Sequence, residues 1–355
     1  MFWWLLALLC SFILFPAQVL EASADAALTW WTHVFPALVP FLILTGLANR
    51  ARPQPRRFLG LHPLAAMSFL LGALGGYPIG ARVLGSAVEQ GELDARSAQR
   101  FSYAAGLMSP AFLISFTAIG LFGSTAALLP LCASVYPVAL GCLFWLGRAK
   151  GSVPPGAPRT LTAADFSDAV SDAMIGILRI GGCIVLCRAL GAVIFATGIV
   201  RLLAKILPVS ESILQTVLTG LLEMTSGCTL AVDLPLPLAI RLSLCVFFQM
   251  FGGVSILLQT RCFLRFPSFG RYVLGRFILA LLSALLCYGI ARLMPDRILP
   301  ASVSADEVLR RAEAMGSLLI PAAIGLLTAL YAGLLLRPKR RKLRTDAVPI
   351  ESSLN

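Results

Sequence analysis

Runs of about 20 consecutive apolar residues recur along this chain, and they limit what it can fold into. Runs of that length match the hydrocarbon core of a bilayer and indicate membrane-spanning helices. Hydrophobic residues make up 58% of the 355 and charged residues only 13%, whereas a soluble domain carries about 25% charged residues. The sequence therefore predicts an all-α polytopic membrane protein, with the lipid bilayer as its surroundings.

We predict eight spans from these runs. They lie near residues 2–20, 30–49, 101–122, 126–147, 172–198, 238–260, 273–294 and 316–336. The first run begins Met1-Phe-Trp-Trp-Leu and lacks the basic start of a cleaved signal peptide, so we expect it to be retained. Two further segments, near 64–88 and 211–232, are apolar but rich in glycine.

The two glycine-rich segments occupy matching places in two hydrophobic halves. The first contains Gly72-Ala-Leu-Gly-Gly-Tyr-Pro-Ile-Gly80 and the second Gly220-Leu-Leu-Glu-Met-Thr-Ser-Gly227. Glycine and proline weaken a helix, and in lipid a broken backbone survives only where protein or a water-filled cavity surrounds it. Interrupted segments at equivalent positions of two repeats are the best sequence indication of a transporter's substrate site.

The distribution of charge favours hairpins that enter the membrane and turn back. If both glycine-rich segments turn back, one side of the membrane receives the basic loops and the basic tail, at 50–57, 148–159, 261–271 and 337–344. The loops at 21–29 and 123–125, which have no Lys or Arg, then lie on the other side. Because Lys and Arg concentrate on the cytoplasmic side, the pattern predicts two re-entrant helical hairpins.

Re-entry gives each half three crossings and one hairpin, so the second half is upside down relative to the first and forms an inverted repeat. Gly72 aligns with Gly220, and Phe101-Ser-Tyr-Ala-Ala-Gly106 aligns with Phe248-Gln-Met-Phe-Gly-Gly253 at nearly the same offset. The predicted divisions begin with an N-terminal span and outer loop (1–29), a first repeat (30–147) and a linker (148–171). A second repeat (172–294), an interfacial helix with the last span (295–336) and a basic cytoplasmic tail (337–355) follow.

Other function classes fit the chain less well. The net charge of +12 would suggest nucleic acid in a soluble protein, but here the basic residues fall in short loops and in the tail. The nine cysteines lie mostly within predicted spans, where a thiol behaves as a small hydrophobe, and their spacing with the two histidines forms no zinc motif. Since no nucleophile and base pair stands out, we expect no enzyme, metal, cofactor or nucleic-acid partner. Association into a homo-oligomer is left open.

The first glycine-rich segment predicts an anion site. Gly75 and Gly76 allow the chain to reverse, and Pro78 suits the first turn of the returning helix. The amides of Ile79, Gly80 and Ala81 would then be free at the positive end of a helix dipole. Arg82 follows that turn and would reinforce the site, or else form a salt bridge to Glu223. The alternative for the glycines is close helix packing through small residues.

The second glycine-rich segment predicts a matching tip. Thr225 or Ser226 would cap the returning helix, and Glu223 precedes it, where a carboxylate is favoured by the dipole and could also take up a coupling proton or cation.

Charged residues within spans are functional candidates because they are expensive in lipid. Arg188 lies nearer the middle of its span than Arg179, and both could serve one cavity only if Gly181 and Gly182 bend the helix. Arg179 and Arg276 could equally extend towards the basic side of the membrane.

Polar residues at membrane depth complete the candidate substrate site. Ser109 precedes a proline that interrupts its span. Gln249, Ser255 and Gln259 either line a pathway or only bond neighbouring helices, as does Tyr103. Together with the hairpin residues, the predicted site comprises Gly75, Gly76, Tyr77, Pro78, Gly80, Arg82, Ser109, Arg188, Glu223, Thr225, Ser226, Gln249, Ser255 and Gln259.

Five segments of residues 28–295 resemble the sporulation integral membrane protein YlbJ family. They are Trp31-Thr-His-Val-Phe-Pro-Ala-Leu-Val-Pro-Phe41, Gly75-Gly-Tyr-Pro-Ile-Gly-Ala81, Ser109-Pro-Ala-Phe112, Gly220-Leu-Leu-Glu-Met-Thr-Ser-Gly227 and Gly252-Gly-Val-Ser-Ile-Leu-Leu-Gln259. The resemblance implies two nucleoside-recognition Gate domains, kinship with concentrative nucleoside transporters, and a place in the mother-cell membrane around the forespore.

The same resemblance implies a role in moving dipicolinic acid during spore formation. The hairpin amides and arginines suit its carboxylates, and Tyr77 suits its ring. Our main hypothesis is a transporter that binds this small organic anion between the two hairpins and exposes the site to each side in turn. The alternatives are a nucleoside transporter of the same architecture and a scaffold for spore envelope assembly that transports nothing.

Overall fold

The computed structural model describes residues 2–51, 59–148 and 160–294, and they form helices joined by short turns. The first half contains α1 (Phe2–Leu14), α2 (Pro16–Thr29), α3 (Phe35–Ala51), α4 (Pro63–Gly75), α5 (Ile79–Glu89), α6 (Ala95–Ala105), α7 (Pro110–Phe112) and α8 (Leu128–Leu146). A π-helical turn, Trp30–Val34, joins α2 to α3, and a second, Leu113–Leu121, extends α7. The second half contains α9 (Ala163–Ala196), α10 (Ile199–Ile206), α11 (Glu211–Leu222), α12 (Met224–Val232), α13 (Leu238–Phe251), α14 (Gly253–Phe263) and α15 (Phe269–Arg292).

The all-α polytopic class is confirmed. Within the described residues, five helical segments are long and apolar enough to cross a membrane, namely Ala95–Leu121, Thr125–Leu146, Ala163–Ala196, Leu238–Phe263 and Phe269–Arg292. A sixth is added if the bent pair at the N-terminus counts as one span. The predicted span 30–49 yields only a shorter apolar helix, Leu38–Ala51. The predicted span 316–336, the interfacial helix, the basic tail and most of the linker lie outside the described residues.

The N-terminal segment differs from the prediction of one straight span at 2–20. Helix α1 ends at Leu14, and the chain bends by 97° before α2 begins at Pro16. Proline cannot continue a helix but suits its first position, so Pro16 starts a new helix in a new direction. The predicted loop at 21–29 is helical, because its alanine-rich sequence has no glycine or proline to interrupt α2.

Both glycine-rich segments form helical hairpins. Helix α4 packs against α5, and α11 packs against α12. At about 1.5 Å per residue these helices are about 14 to 20 Å long, which is shorter than a hydrocarbon core of about 30 Å. A side chain on Gly227 would overlap the Cα of Gly220, and one on Gly72 would lie 3.4 Å from the Cα of Gly80. Each hairpin therefore closes through a glycine on both of its arms.

The first hairpin leaves the helical bundle at the end where it enters. The amide of His62, just before α4, donates to the carbonyl of Gly147 at 2.8 Å. Arg100, just after the hairpin, donates to the carbonyls of Leu146 and Arg148 at 3.2 and 3.1 Å. Both flanks of the hairpin thus meet the carboxyl end of α8, which is the geometry that a re-entrant hairpin requires.

The two halves repeat one order of elements: a long helix, a hairpin, an interrupted span and a final span. The interruptions lie between α6 and α7 and between α13 and α14. A side chain on Gly72 would overlap the carbonyl oxygen of Ala105, and one on Gly253 would lie 3.1 Å from the carbonyl oxygen of Gly220. In each half a glycine therefore lets the hairpin lie against the interrupted span, from the hairpin side in the first half and from the span side in the second.

The long helices that open the two halves run in opposite directions. Arg50 at the end of α3 pairs with Asp172 near the start of α9, at 2.7 Å. An inverted repeat requires this antiparallel relation. The main apolar core lies between α8, α13 and α15, where residues such as Leu131, Val246 and Cys287 are buried.

Candidate functional site

The tip of the first hairpin lies against the interruption of the first span. Residues 75–78 are buried, and Gly76 has φ +78°. A side chain at Gly76 would come within 3.2 Å of the Ser109 amide nitrogen, so only glycine fits there. The hydroxyl of Ser109 in turn accepts from the Phe112 amide at 3.2 Å and caps α7. The structure thus brings Ser109 to the tip.

The first turn of α5 leaves fewer backbone amides free than the three that the sequence predicted. The Ile79 amide donates to the Gly76 carbonyl at 3.0 Å, so it is not free. The amides of Gly80 and Ala81 have no hydrogen-bond acceptor among the described residues. A side chain on Gly80 would overlap the Ala105 carbonyl, which shows how closely the first turn of α5 packs. Two amides remain available, in a crowded place.

Arg276 of α15 occupies the centre between the two halves. Its side chain is buried, with 1% of the residue exposed. One terminal nitrogen donates to the carbonyls of Tyr103 and Gly106, at 3.2 and 2.7 Å, where the first span is interrupted. The other donates to the Met250 carbonyl of the second interrupted span and to the Tyr77 hydroxyl. A buried Arg276 excludes the expectation that it extends to the membrane surface.

Tyr77 connects the first tip to the second half. Its hydroxyl lies 3.1 Å from the carbonyl of Gln249 and 3.3 Å from that of Met250, to which it donates. The guanidinium carbon of Arg276 lies 5.4 Å from the centre of the Tyr77 ring, within the range of a cation–π interaction. Tyr77, whose ring was predicted to contact the substrate, is therefore already in contact with the Arg276 cation.

The charge of Arg276 is uncompensated within the described residues. Its partners there are carbonyl and hydroxyl oxygens, and no carboxylate forms an ion pair with it. A charge buried without a counter-ion is costly, and hydrogen bonds to neutral groups offset only part of that cost. The positive charge of Arg276 is therefore not neutralised by any carboxylate in the described part of the chain.

The remaining polar residues at membrane depth behave differently from one another. The side-chain amide nitrogen of Gln249 donates to the Thr117 hydroxyl, and the side-chain oxygen Oε1 is buried without a partner in the described structure. Gln259 donates to Ser255 at 3.1 Å, and both are buried. Their shared helix face is confirmed, and in this conformation they bond one another.

The second tip is organised by Glu223, which corrects the prediction that Thr225 or Ser226 caps α12. The carboxylate accepts from the amides of Thr225 and Ser226, at 2.9 and 2.8 Å. The two hydroxyls also donate to it. A carboxylate has four acceptor positions, so it satisfies more donors at the positive end of α12 than a hydroxyl could. Glu223 is 6% exposed.

Arg188 lies beside this second tip. It donates to the Ser226 hydroxyl and pairs with Asp25 of α2. Helix α9 is continuous through Gly181 and Gly182, so these glycines do not unwind it to bring Arg179 and Arg188 to one cavity. Gly181 instead lets the Trp30 indole lie against the helix, because a side chain there would come within 2.7 Å of the ring. Arg179 is exposed on another part of α9.

Arg82 does not pair with Glu223. Its guanidinium lies 3.8 Å from the Asp172 carboxylate and 3.4 Å from the Leu42 carbonyl. Its helix packs against α3, and no ion pair joins Arg82 to Glu223 in the described part of the chain. Asp172 also pairs with Arg50 at 2.7 Å.

The predicted residues therefore form two clusters. The first contains the tip 75–78, Ser109 and Arg276, and the second contains Glu223, Thr225, Ser226 and Arg188. The carboxyl end of α13 separates them: Phe248 packs on Gly220 and Gly227 of the second hairpin, while the carbonyls of Gln249 and Met250 face Tyr77 and Arg276 of the first cluster.

Sequence reasoning missed Asp25 and underrated Arg276. Asp25 lay in a segment predicted to be an outer loop, although its alanine-rich surroundings indicate a helix. Arg276 lies on α15 with apolar neighbours on most sides, and an arginine so placed is a functional candidate by default. The short amphipathic helix α10 was also missed, although Arg201 and Lys205 alternate with apolar residues at helical spacing.

Comparison with known proteins gives one relevant similarity. The chain is 22% identical to the sporulation integral membrane protein YlbJ of Bacillus subtilis (strain 168) over an alignment of 301 residues, which covers 71% of this chain and 74% of that protein. No protein-family model and no solved structure matches the chain. The similarity spans most of both chains and agrees with the apolar helices seen here. The chain is therefore an integral membrane protein and a distant relative of the sporulation protein YlbJ.

Proposed function

We propose that the protein transports a small organic anion by exposing a site between its two repeats to each side of the membrane in turn. The observation that carries this proposal is Arg276, a buried guanidinium without a carboxylate partner in the described residues, at the point where the first hairpin meets both interrupted spans. Substrate sites of repeat transporters lie near the midplane, where helices are discontinuous.

The positive centre explains why the substrate is an anion. A carboxylate is the natural partner of a guanidinium, because the planar donors match two carboxylate oxygens. The present partners of Arg276 are neutral oxygens, which bind the cation more weakly than a carboxylate does. An entering carboxylate would replace some of these oxygens and supply the missing negative charge.

The same bonds connect binding to movement. Arg276 on α15 holds carbonyls of the first interrupted span and of the second. Movement of one repeat against the other changes the distance between these carbonyls. A substrate that takes over part of the bonding of Arg276 thus alters what holds the repeats together, which is the differential contact that alternating access requires.

Dipicolinic acid is the substrate that we propose. It is a small aromatic dicarboxylate, so it offers carboxylates to arginines and a ring to Tyr77. The relative is a sporulation protein by name, and we place this chain in the mother-cell-derived outer forespore membrane on that basis. A proton or cation at Glu223 would couple the movement, since its carboxylate is the one acidic group at a described hairpin tip.

Two other functions share parts of this evidence. A nucleoside transporter would have the same repeats but would need no buried cation. A scaffold without transport would be favoured by tips packed against Leu and Phe side chains. The first tip instead meets Ser109 and Arg276, so its polar surroundings support transport.

Uptake by proteoliposomes tests the proposal. We expect Arg276→Gln to lower dipicolinate uptake at least tenfold relative to the unaltered protein, because the amide retains hydrogen bonds but loses the charge. Arg179→Gln is the matched control, since Arg179 is exposed on α9, and its uptake should be unchanged. Elution as one species from a sizing column would show that both variants fold. Equal uptake by the two variants, or uptake of uridine and adenosine in place of dipicolinate, would contradict the proposal.

A further inference from the structure

The second cluster contains a charge pair that joins the N-terminal helix to the second hairpin. Arg188 of α9 donates to the Asp25 carboxylate of α2 with one terminal nitrogen and to the Ser226 hydroxyl with the other. Ser226 donates to Glu223 in turn, at 2.7 Å. A continuous chain of polar groups therefore runs from α2 to the hairpin tip.

Asp25 comes from outside the two repeats. Helix α2 precedes the first repeat and packs along α9. The neighbouring residue, Ala26, is fully buried and fixes α2 against its surroundings. The carboxylate of Asp25 is thus presented to Arg188 by a helix that contributes no other acidic group to this cluster among the described contacts.

The pair is open on one side. The side chain of Asp25 is 58% exposed and that of Arg188 is 27% exposed. Asp25 can therefore leave Arg188 without being buried alone, whereas Arg188 left without an anion would keep only the Ser226 hydroxyl. An ion pair that water reaches is weak, so exchange of one carboxylate for another costs little when this side opens to water.

The arrangement resembles a carboxylate site occupied by the protein's own side chain. Arg188 offers the forked donors of a guanidinium, and Ser226 adds a hydroxyl at the positive end of α12. A carboxylate on a small molecule would need the same donors that Asp25 now uses. Arg188 lies about 12 Å along α9 from its last residue, Ala196, since eight residues at about 1.5 Å each separate them.

We infer that Asp25 is the internal counter-ion of a substrate-carboxylate site formed by Arg188 and Ser226, and that the entering carboxylate displaces it. The inference rests on the proposed function and deepens it: it names a second carboxylate position, beside the second hairpin, and a residue that competes for it. Displacement frees α2 from α9 at this point, so binding of the anion loosens the N-terminal helix.

Equilibrium binding of dipicolinate to the full-length protein in detergent tests the inference. Asp25→Asn keeps the size of the side chain and removes its charge, so we expect affinity to rise about fivefold, the magnitude of one exposed ion pair. Arg188→Gln should lower affinity at least tenfold. The double variant should bind like Arg188→Gln alone, because the competitor matters only while the guanidinium is present.

Two matched variants separate competition from a structural role. Glu21→Gln removes a carboxylate one turn earlier on α2 and should leave affinity unchanged, while Asp25→Glu should retain the affinity of the unaltered protein. The neutral pyridine-2,6-dicarboxamide should show no gain with Asp25→Asn. Affinity for dipicolinate that is unchanged or reduced in Asp25→Asn would overturn the inference while leaving transport intact. Absence of dipicolinate binding to the unaltered protein and to every variant would instead overturn the proposed function.

Discussion

At the scale of single residues, the two arginines of the site are held in different ways. Arg276 is enclosed and bonded to neutral oxygens, whereas Arg188 is partly exposed and paired with a carboxylate. The enclosed guanidinium gains most from an anion because no water competes for it. The exposed one has an internal competitor.

Glu223 is expected to govern any response of transport to a proton gradient. Glu223→Gln cannot take up a proton, so dipicolinate uptake should become independent of an imposed pH gradient, while the uptake of the unaltered protein responds to it. The measurement is initial uptake into proteoliposomes with and without the gradient. Glu89→Gln, at the exposed end of α5, is the control. A variant of Glu223 that still responds to the gradient would exclude this residue as the coupling group.

Asp94 should make the stability of the protein depend on acid. The Ser97 hydroxyl and the amides of Ser97 and Arg96 hydrogen-bond to this carboxylate and lower its pKa. A carboxyl whose pKa is lowered by folding stabilises the protein above its unfolded pKa of about 3.9, and that contribution disappears as pH falls through the lower folded value. Asp94→Ala should therefore lower the melting temperature at pH 7, and the difference should shrink towards pH 3. A difference that is constant over this range would contradict the assignment.

At the scale of elements, the hairpins depend on contact between glycines. The arms of α11 and α12 touch through Gly220 and Gly227, where even one methyl group has no room. The sequence predicted both hairpins from their glycines, but it did not predict that the same glycines admit Phe248 from α13. The positions of glycines in the sequence show where a helix can be approached closely. They do not show which side chain approaches, because that side chain belongs to another helix.

Gly227→Ala is expected to separate the arms of the second hairpin. Overpacking of a close contact costs about 1–3 kcal/mol, so the melting temperature in detergent should fall and uptake should fall with it. Gly182→Ala is the control, because a side chain at Gly182 meets nothing within 4 Å and alanine favours the helix. Equal melting temperatures for the two variants would show that the glycine contact does not hold the hairpin.

At the scale of the whole molecule, the two hairpins meet at one helix. Helix α13 lies between their tips and contacts both. A shift of α13 would therefore be felt at both clusters, which gives a physical route by which the two carboxylate positions influence one another.

Labelling from each side of the membrane tests the hairpin geometry. Leu59→Cys and Glu92→Cys, in a background without the native cysteines, flank the first hairpin and should react with an impermeant maleimide from the same side. Ser124→Cys lies just beyond the span Ala95–Leu121 that follows the hairpin, so it should react from the opposite side. Reaction of residues 59 and 92 from opposite sides would show that the segment crosses the membrane, and the proposed site would then be wrong.

The sequence by itself determined the membrane class, the places where helices break and the glycines that allow close approach, because these depend on local properties: apolar length, missing amide donors and missing side chains. Only the tertiary structure decided which polar groups meet. Tyr77 and Arg276 are 199 residues apart, and Asp25 and Arg188 are 163 apart. No local pattern records such a pairing, since a guanidinium is equally compatible with lipid headgroups, a carbonyl or a carboxylate until the helices around it have packed.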